Sequence, residues 1–420
     1  MGLNSLGVGD GSKGDNSMRG GVPEGAFPLS PAQMGMWFAQ HVDPTVPANI
    51  AQYVELEGDL DLDLLRESSA RAALEMGSGF LRFIEVDAQP YQLVDPTLPA
   101  PLGFVDLSEE EDPRRAALDW MRDDRSRPVD VLGDRLISAT VLRIGERRFF
   151  WYNRVHHLAL DGFAAATFMT RIAELYTAAV EGVDPTPNRA SDLRKVYDIE
   201  MEYRSSKRFE DDRRYWAEQI RGIEEPTSLA GRIAAPAPVS RIDSAALSDE
   251  IERRIEQLVT RENASLATAV IAAFAAYVAQ MTGQTDVVLS LPVAARTTAL
   301  LRRSGSMVSN VVPLRLTVAD DTTVRDLLAA AGTAVSGALR HQRYRHEDIV
   351  RDRAADTVTQ STFFGPWINI MMFDNEVRLG DMVGRINILS TGLIEDLGVN
   401  VYSSGDNTHI DFESNPNLYG

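Results

Sequence analysis

The sequence predicts an α+β fold in two successive parts, and three observations predict it. Strand-like and helix-like segments are mixed in both halves, in similar order, with no detectable repeat. At 420 residues the chain exceeds one typical core. A charged stretch punctuated by Pro185, Pro187, Pro226 and Pro236 separates the halves. The division expected is a disordered leader or vector-derived sequence over 1–25, a first lobe over 26–183, a connector with a helix over 184–238, and a second lobe over 239–420.

Met1 to about Gly25 is rich in Gly, Ser, Asn and Asp and has too few large apolar residues to bury a core. Within it, Gly2-Leu3-Asn4-Ser5-Leu6 superficially matches a phosphopantetheine-attachment motif but lacks the helical bundle that such a motif needs. Ordered sequence starts near Phe27. Ser30-Pro31-Ala32-Gln33 is a helix start, with Ser at the cap and Pro in the first turn, and the helix runs to His41. Ile50 to Glu57 reads as a strand. Leu60 to Leu74 reads as a helix with one apolar stripe. Leu81 to Val86 and Tyr91 to Val94 read as paired strands around a Gln-Pro turn. Asp112 to Arg125 is a charged helix. Leu136 to Ile144 and Arg147 to Val155 form a hairpin through Gly145-Glu146. Tyr197 to Ile220 is an amphipathic helix within the connector, which is expected to lie outside any core. Ser248 to Arg261, the very apolar Ser265 to Met281, and Thr323 to Tyr344 are helical. Asp286 to Leu291, Asn310 to Thr317, Trp367 to Phe373 and Gly384 to Leu389 are strands of the second half.

Composition narrows the function. Apolar residues at 44% and charged residues at 25% are those of an ordinary soluble globular protein. The net charge of −19 argues against nucleic acid or an anionic membrane as a partner, because both need basic patches. The chain has no cysteine, which removes disulfides, thiolate nucleophiles and Cys-ligated metal. Neither a membrane-length apolar run nor a signal-peptide core is present, so a cytoplasmic location is expected and the Asn263-Ala264-Ser265 sequon carries no meaning.

The chemistry concentrates in His156-His157-Leu158-Ala159-Leu160-Asp161-Gly162. The chain has six histidines, and two of them are adjacent here. A chance match to this pattern is on the order of one in a few thousand. Phe149 to Val155 before it is bulky and strand-like, and Gly162 to Ala179 after it has helical periodicity. A neutral imidazole facing a cleft can accept a proton near neutral pH. Adjacent residues of extended backbone point to opposite faces, so one histidine faces the site and the other packs. Asp161 is expected to fix the loop by pairing with an arginine, such as Arg154 or Arg296, and Gly162 to permit a turn or a close backbone approach. A metal site would need a third ligand at a recognisable spacing, so no metal is expected. His41, His341, His346 and His409 are isolated among polar residues and read as surface positions. No motif for a nucleotide, a flavin or a serine hydrolase occurs.

Further motifs join this one. Ser30, Ala32, Gln33 and Trp37 spell SxAQxxxW. Pro292-Val293-Ala294-Ala295-Arg296 spells PVxxR. Gly305 to Arg315 carries a Gly, then Asn310, then Pro313-Leu314-Arg315. Together with HHxxxDG these resemble the condensation domains of nonribosomal peptide synthetases over nearly the whole ordered chain. The late motif, often HQxxPFE, stands as His341-Gln342-Arg343-Tyr344-Arg345-His346-Glu347, with Arg345-His346 in place of Pro-Phe. The family's second motif is degraded over Ala73 to Phe83. Trp151 to His157, Asp161 to Phe163 and Phe364 to Ile370 resemble, more narrowly, the domains of catecholate-siderophore synthetases of the enterobactin and bacillibactin type.

The resemblance implies two chloramphenicol-acetyltransferase-like lobes in a V around a central tunnel. It implies His157 as the catalytic residue, with His156, Asp161, Gly162, Arg296 and Asn369 supporting it. Asp161 would be salt-bridged to Arg296, while Asn369 and the Gly305–Asn310 segment would line the site. Ser30, Gln33, Trp37, Gly305 and Asn310 would be tunnel or motif positions. No cofactor is expected on the domain itself. Its substrates would hang on phosphopantetheine arms of a donor acyl or aryl carrier protein and an acceptor peptidyl carrier protein, next to adenylation and carrier domains of a larger synthetase. An end at Tyr419-Gly420 implies a piece that stops before a last helix. The reaction implied is amide formation by aminolysis of a thioester. Competing readings are a free-standing acyltransferase of the same fold, using acyl-CoA or making an ester, and a non-catalytic partner-recruiting domain.

Overall fold

The computed structural model describes residues 21–99, 102–223, 226–356, 364–371, 376–404 and 407–419. Most of the leader read over 1–25, and the end of the strand read to Phe373, lie outside them.

The fold is α+β. In chain order the first half holds β1 (Phe27–Pro28), α1 (Pro31–Val42), β2 (Asn49–Glu57), α2 (Leu62–Met76), β3 (Leu81–Val86), β4 (Gln89–Val94), β5 (Leu102–Asp106), α3 (Pro113–Arg125), β6 (Ile137–Gly145), β7 (Arg148–His156) and α4 (Gly162–Glu181). Then follow α5 (Leu193–Arg204), α6 (Lys207–Gln219), β8 (Arg241–Ala246), α7 (Asp249–Glu262), α8 (Leu266–Thr282), β9 (Asp286–Val293), α9 (Ala299–Arg302), β10 (Asn310–Thr317), α10 (Val324–Arg340), α11 (His346–Asp356), β11 (Trp367–Met371), β12 (Glu376–Leu379), β13 (Met382–Thr391), β14 (Leu397–Ser404) and β15 (Asn407–Ser414).

Among the described residues the strands form two six-stranded sheets and a small three-stranded one. The first large sheet runs β12-β13-β2-β7-β6-β5, and the second runs β10-β9-β11-β14-β15-β8. β12 and β13 come from the second half of the sequence but complete the sheet of the first, with Ile386 opposite Val54 and Thr391 opposite Ile50. A cut at residue 239 therefore does not divide the sheets.

Period-two alternation explains the layering. Val54, Leu56, Val141 and Trp151 turn to one face of the first sheet, under α2 and α4. Tyr53, Leu142, Phe150 and Tyr152 turn to the other, where Ala117 and Met121 of α3 cover them. In the second sheet, Val287, Leu289, Val312, Leu314, Ile368, Val399 and Val401 pack on α8 and α10. The alternate residues Asn369, Asn400, Asp411 and Glu413 consequently occupy the opposite, polar face.

Two local expectations need correction. The hairpin between β3 and β4 turns at Asp87-Ala88, both at positive φ (50° and 60°), rather than at Gln89-Pro90. Pro90 sits inside β4, beyond the two residues that pair with β1, where a missing N–H costs no ladder bond. The connector is also part of a core. Ser205 closes α5 and Ser206 caps α6, its Oγ accepting from Phe209 N–H, and α6 carries Trp216 into the apolar core of the second sheet.

Candidate active site

β7 ends at His156, and the chain turns before α4. The turn is closed by Ala159 N–H donating to His156 O at 2.9 Å. Asp161 then caps α4, accepting from Ala164 N–H at 2.9 Å and satisfying a donor that the helix leaves open.

His156 is fully buried. Its Nδ1 accepts from Leu158 N–H at 3.2 Å, so its Nε2 carries the hydrogen and donates to Gln40 Oε1 at 3.0 Å. Burial pushes its pKa down to about 3, and neighbouring His157 and Arg154 push the same way. It stays neutral, with both nitrogens engaged.

His157 is half-buried and differently held. Its backbone N–H donates to Ala48 O at 2.8 Å, extending the first sheet. Its Nε2 lies 3.3 Å from Thr391 O. The backbone carbonyl of His157 itself is a second acceptor for the ring, so two carbonyls compete for the one hydrogen of the neutral imidazole. Nδ1 is buried and, among the described residues, has no partner outside its own residue. Burial lowers the His157 pKa below the usual imidazole range, against an opposing pull from Asp161 and the Thr391 carbonyl. The ring is thus neutral at pH 7.

The floor beneath it is Thr391-Gly392. β13 slips register against β2 between Ile388 and Ser390, and such a bulge turns the end of a strand. Gly392 sits at φ 115°, and a Cβ there would lie 2.9 Å from His157 Cδ2. Both backbone conformation and contact with the ring therefore require glycine.

Asp161 is the hub behind the site. Arg296 grips it in bidentate fashion at 2.7 and 3.0 Å, and the N–H groups of Val308 and Ser309 donate to Oδ2 at 2.9 and 2.8 Å. Burial alone would raise its pKa. The Arg296 guanidinium and the backbone donors outweigh burial and hold the carboxyl below its usual range. Arg154 pairs instead with Asp124 at 3.1 Å. Arg345, one of the two departures in the late motif, donates from its two terminal nitrogens to Val308 O and Ser309 O, both at 2.9 Å. The 308–309 peptides are thus held from one side by Asp161 and from the other by Arg345.

The remaining predicted positions take definite places. Asn310 donates to Gln342 O and Tyr344 O and accepts from His346 N–H, bracing the late-motif loop. Gly305 packs so closely on Met76 and Ser78 that a side chain would collide with α2. Asn369 on β11 donates to Asn400 Oδ1 at 3.1 Å, on the polar face of the second sheet. Gly162 is a correction. It is exposed, opens α4, has no positive φ, and no atom of the described residues lies within 4 Å of where its Cβ would be. It neither permits a turn nor allows a close approach within the chain; it leaves space free.

Ser30, Gln33 and Trp37 are also placed differently from a tunnel lining. Ser30 and Gln33 form a reciprocal capping box on α1. Gln33 Nε2 reaches Leu158 O at 3.3 Å, and Trp37 is buried against the His41 ring. They brace the histidine turn from behind. Among the histidines read as surface positions, two are exceptions: His341 is bonded through Nδ1 to Asp212 at 2.7 Å and stacked on Tyr215, and His346 packs edge-on against the buried Phe364 ring at 5.4 Å. Sequence reasoning missed Gln40, Thr391 and Gly392. Only Gly392 left a trace, as a lone glycine after an apolar strand.

Residues 23–413 match the condensation-domain family. The starter condensation domain of rhizomide synthetase, solved with C8-CoA and Leu-SNAC, superposes with a TM-score of 0.88 at 30% identity, over 94% of this chain and 90% of that one. The first condensation domain of the calcium-dependent antibiotic synthetase gives 0.86 at 31% identity, over 94% and 92%. The chain belongs to the condensation domains of nonribosomal peptide synthetases, whose reaction is the acyl transfer that forms an amide bond.

Among individual proteins it is 33% identical to a dimodular nonribosomal peptide synthase of Bacillus subtilis over 94% of its length, and 35% identical to an isonitrile lipopeptide synthase of Streptomyces coeruleorubidus over 93%. Enterobactin synthase component F of Escherichia coli K12 is 30% identical over 88%. The chain spans 17%, 27% and 29% of the length of these three relatives.

Proposed function

We propose that this domain joins a donor acyl or aryl thioester on one carrier protein to the amine of an aminoacyl thioester on another, in a cytoplasmic synthetase of siderophore type. The observation that carries the proposal is His157: a neutral imidazole at the meeting of the two large sheets. The amine nitrogen attacks the thioester carbonyl carbon, the C–N bond forms, and the C–S bond breaks. The proton lost by nitrogen passes to the His157 imidazole and ends on the departing sulfur. A free α-amine has a pKa near ~7.7–8, so a base at this point raises the reactive fraction modestly. Holding both arms in attack geometry contributes more, as much as ~7–11 kcal/mol. Asp161, Arg296, Arg345 and Asn310 serve that geometry by fixing the 308–309 peptides against the histidine turn. The open space at Gly162 leaves room for a phosphopantetheine arm. The domain supplies no cofactor of its own, and its partners are the two carrier proteins and the adenylation domains that load them.

A second reading concerns the donor. The similarity to a lipopeptide synthase and to a starter domain solved with C8-CoA favours a fatty acyl donor over an aryl one. Mass spectrometry of carrier-bound products decides. Aryl-loaded carrier, fatty-acyl carrier and fatty acyl-CoA are each offered with an aminoacyl carrier. An aryl amide supports the siderophore reading, and product from the fatty donors alone replaces it. No amide with any donor rejects the condensation reading.

A further inference from the structure

The end of α3 lies against the histidine turn. Asn49 is the register partner of His156, and its Nδ2 donates to Arg125 O at 2.9 Å and to Arg127 O at 3.3 Å. Arg125, the last residue of α3, therefore stands beside the site, and its charge bears on Glu413 of β15 and on Tyr152 of β7. The carboxyls around it are already engaged. Asp124 takes Arg154 at 3.1 Å, the Tyr152 hydroxyl at 3.1 Å and Arg127 at 3.8 Å. Glu413 accepts from Ser240 Oγ at 2.6 Å on one oxygen and from Thr391 Oγ1 at 2.7 Å on the other, with Asn400 Nδ2 3.4 Å away. Among the described residues the Arg125 guanidinium has no ion pair, hydrogen bond or ring contact.

A cation taken out of water without a partner is costly. Burial pulls the Arg125 pKa below the ordinary guanidinium range, with Glu413 and Tyr152 opposing. The chain does not lack carboxylates to pair it, having 61 acidic residues against 42 basic ones. Arg125, Thr391 and His157 are each half-buried and keep part of their surface open, whereas Glu413 behind them is 1% exposed. They border one polar recess, which continues along the second sheet through Asn400 and Asn369. We propose that Arg125 is a specificity-determining residue: its guanidinium binds an oxygen carried by the substrate, a hydroxyl or carboxylate on the acyl donor or on the aminoacyl acceptor, while the reacting groups stand at His157. Its N–H donors suit such an oxygen and find no partner on an alkyl chain. The inference rests on the condensation reading given above and names the kind of side group that the same site selects.

The test is competition between loaded carriers in one vessel, with the amide products counted by mass spectrometry. On the donor arm, hydroxybenzoyl competes with benzoyl, and 3-hydroxyacyl with acyl, for one aminoacyl carrier. On the acceptor arm, seryl and aspartyl compete with alanyl for one donor. Wild type should favour the oxygen-bearing member at least about tenfold on one arm, because its rival leaves a buried polar group unmatched. The arm that shows the preference assigns the source of the oxygen. Arg125→Met should bring that ratio to within about threefold of unity. No preference on either arm, or a preference that survives in Arg125→Met, overturns the proposal. An unpaired guanidinium does not support the fold, so Arg125→Met should melt above wild type or within about 2 °C of it. A variant that melts lower, or does not fold, makes Arg125 a structural counter-charge to Glu413 and overturns the proposal as well. Absence of amide from wild type with every carrier pair rejects the condensation reading and leaves the melting comparison, which needs no turnover, to judge Arg125.

Discussion

The wall behind His156 and the floor beneath His157 are built in different ways. The wall comes from α1 and the turn itself. Gln40 and the Leu158 amide occupy both nitrogens of a fully buried ring. The floor arrives from 234 residues further along the chain and engages one nitrogen of a half-buried ring. Extended backbone sends adjacent side chains to opposite faces. One position of a dipeptide can therefore serve packing while its neighbour serves chemistry, and the supply of partners decides which is which.

The comparison can be broken in four places. The largest effect is expected at the floor. His157→Ala should lower amide formation by about 10²–10⁴-fold with unchanged circular dichroism and melting; wild-type turnover would remove His157 from the chemistry. Next is the hub between the two regions. Asp161→Ala leaves Arg296 buried without its partner and should cost about 3–5 kcal/mol in guanidinium unfolding. Normal stability with lost activity would move Asp161 into the direct chemistry.

The wall should show itself in pH. The unfolded chain protonates His156 near pH 6.5, whereas the folded chain resists until about 3. Acidification through that window therefore favours the unfolded state, by about 1.4 kcal/mol per pH unit from this group. His156→Asn should flatten the fall in unfolding free energy between pH 6.5 and 5, and an unaltered slope means the ring is not held neutral. The smallest effect lies at the outer edge of the wall. Ser30→Ala removes half of the capping box and should cost about 1 kcal/mol with activity retained. A larger loss of activity than of stability would mean that α1 touches substrate.

The wall was legible in the sequence and the floor was not. Ser30-Pro31-Ala32-Gln33 announces a helix start by local chemistry, and the bulky run before His156 announces a strand. Asp161 was readable as a residue seeking an arginine, and the family resemblance, rather than spacing, selected Arg296 over Arg154. β14 and β15 went unread because their alternate residues are polar and face the first sheet, so a solvent-facing pattern conceals a buried one. The pairing of β13 with β2 could not be inferred at all, because register across the two halves is fixed by tertiary contacts rather than by turns. Thr391 and Gly392 acquire meaning only once that pairing exists. The turn at Asp87-Ala88 was missed because alanine at positive φ gives no compositional signal.

That pairing has a consequence for how the chain is made. During translation the first sheet lacks two of its strands until residue 391 has emerged, so the inner edge of β2 waits uncovered. At about 5–20 residues per second, the interval after α4 is finished lasts on the order of 10–40 s. An apolar strand edge exposed for that long is an invitation to pair wrongly. A fragment ending at residue 239 would carry the same open edge permanently, and a productive exchange of synthetase segments needs to keep residues 376–391 together with the half they complete.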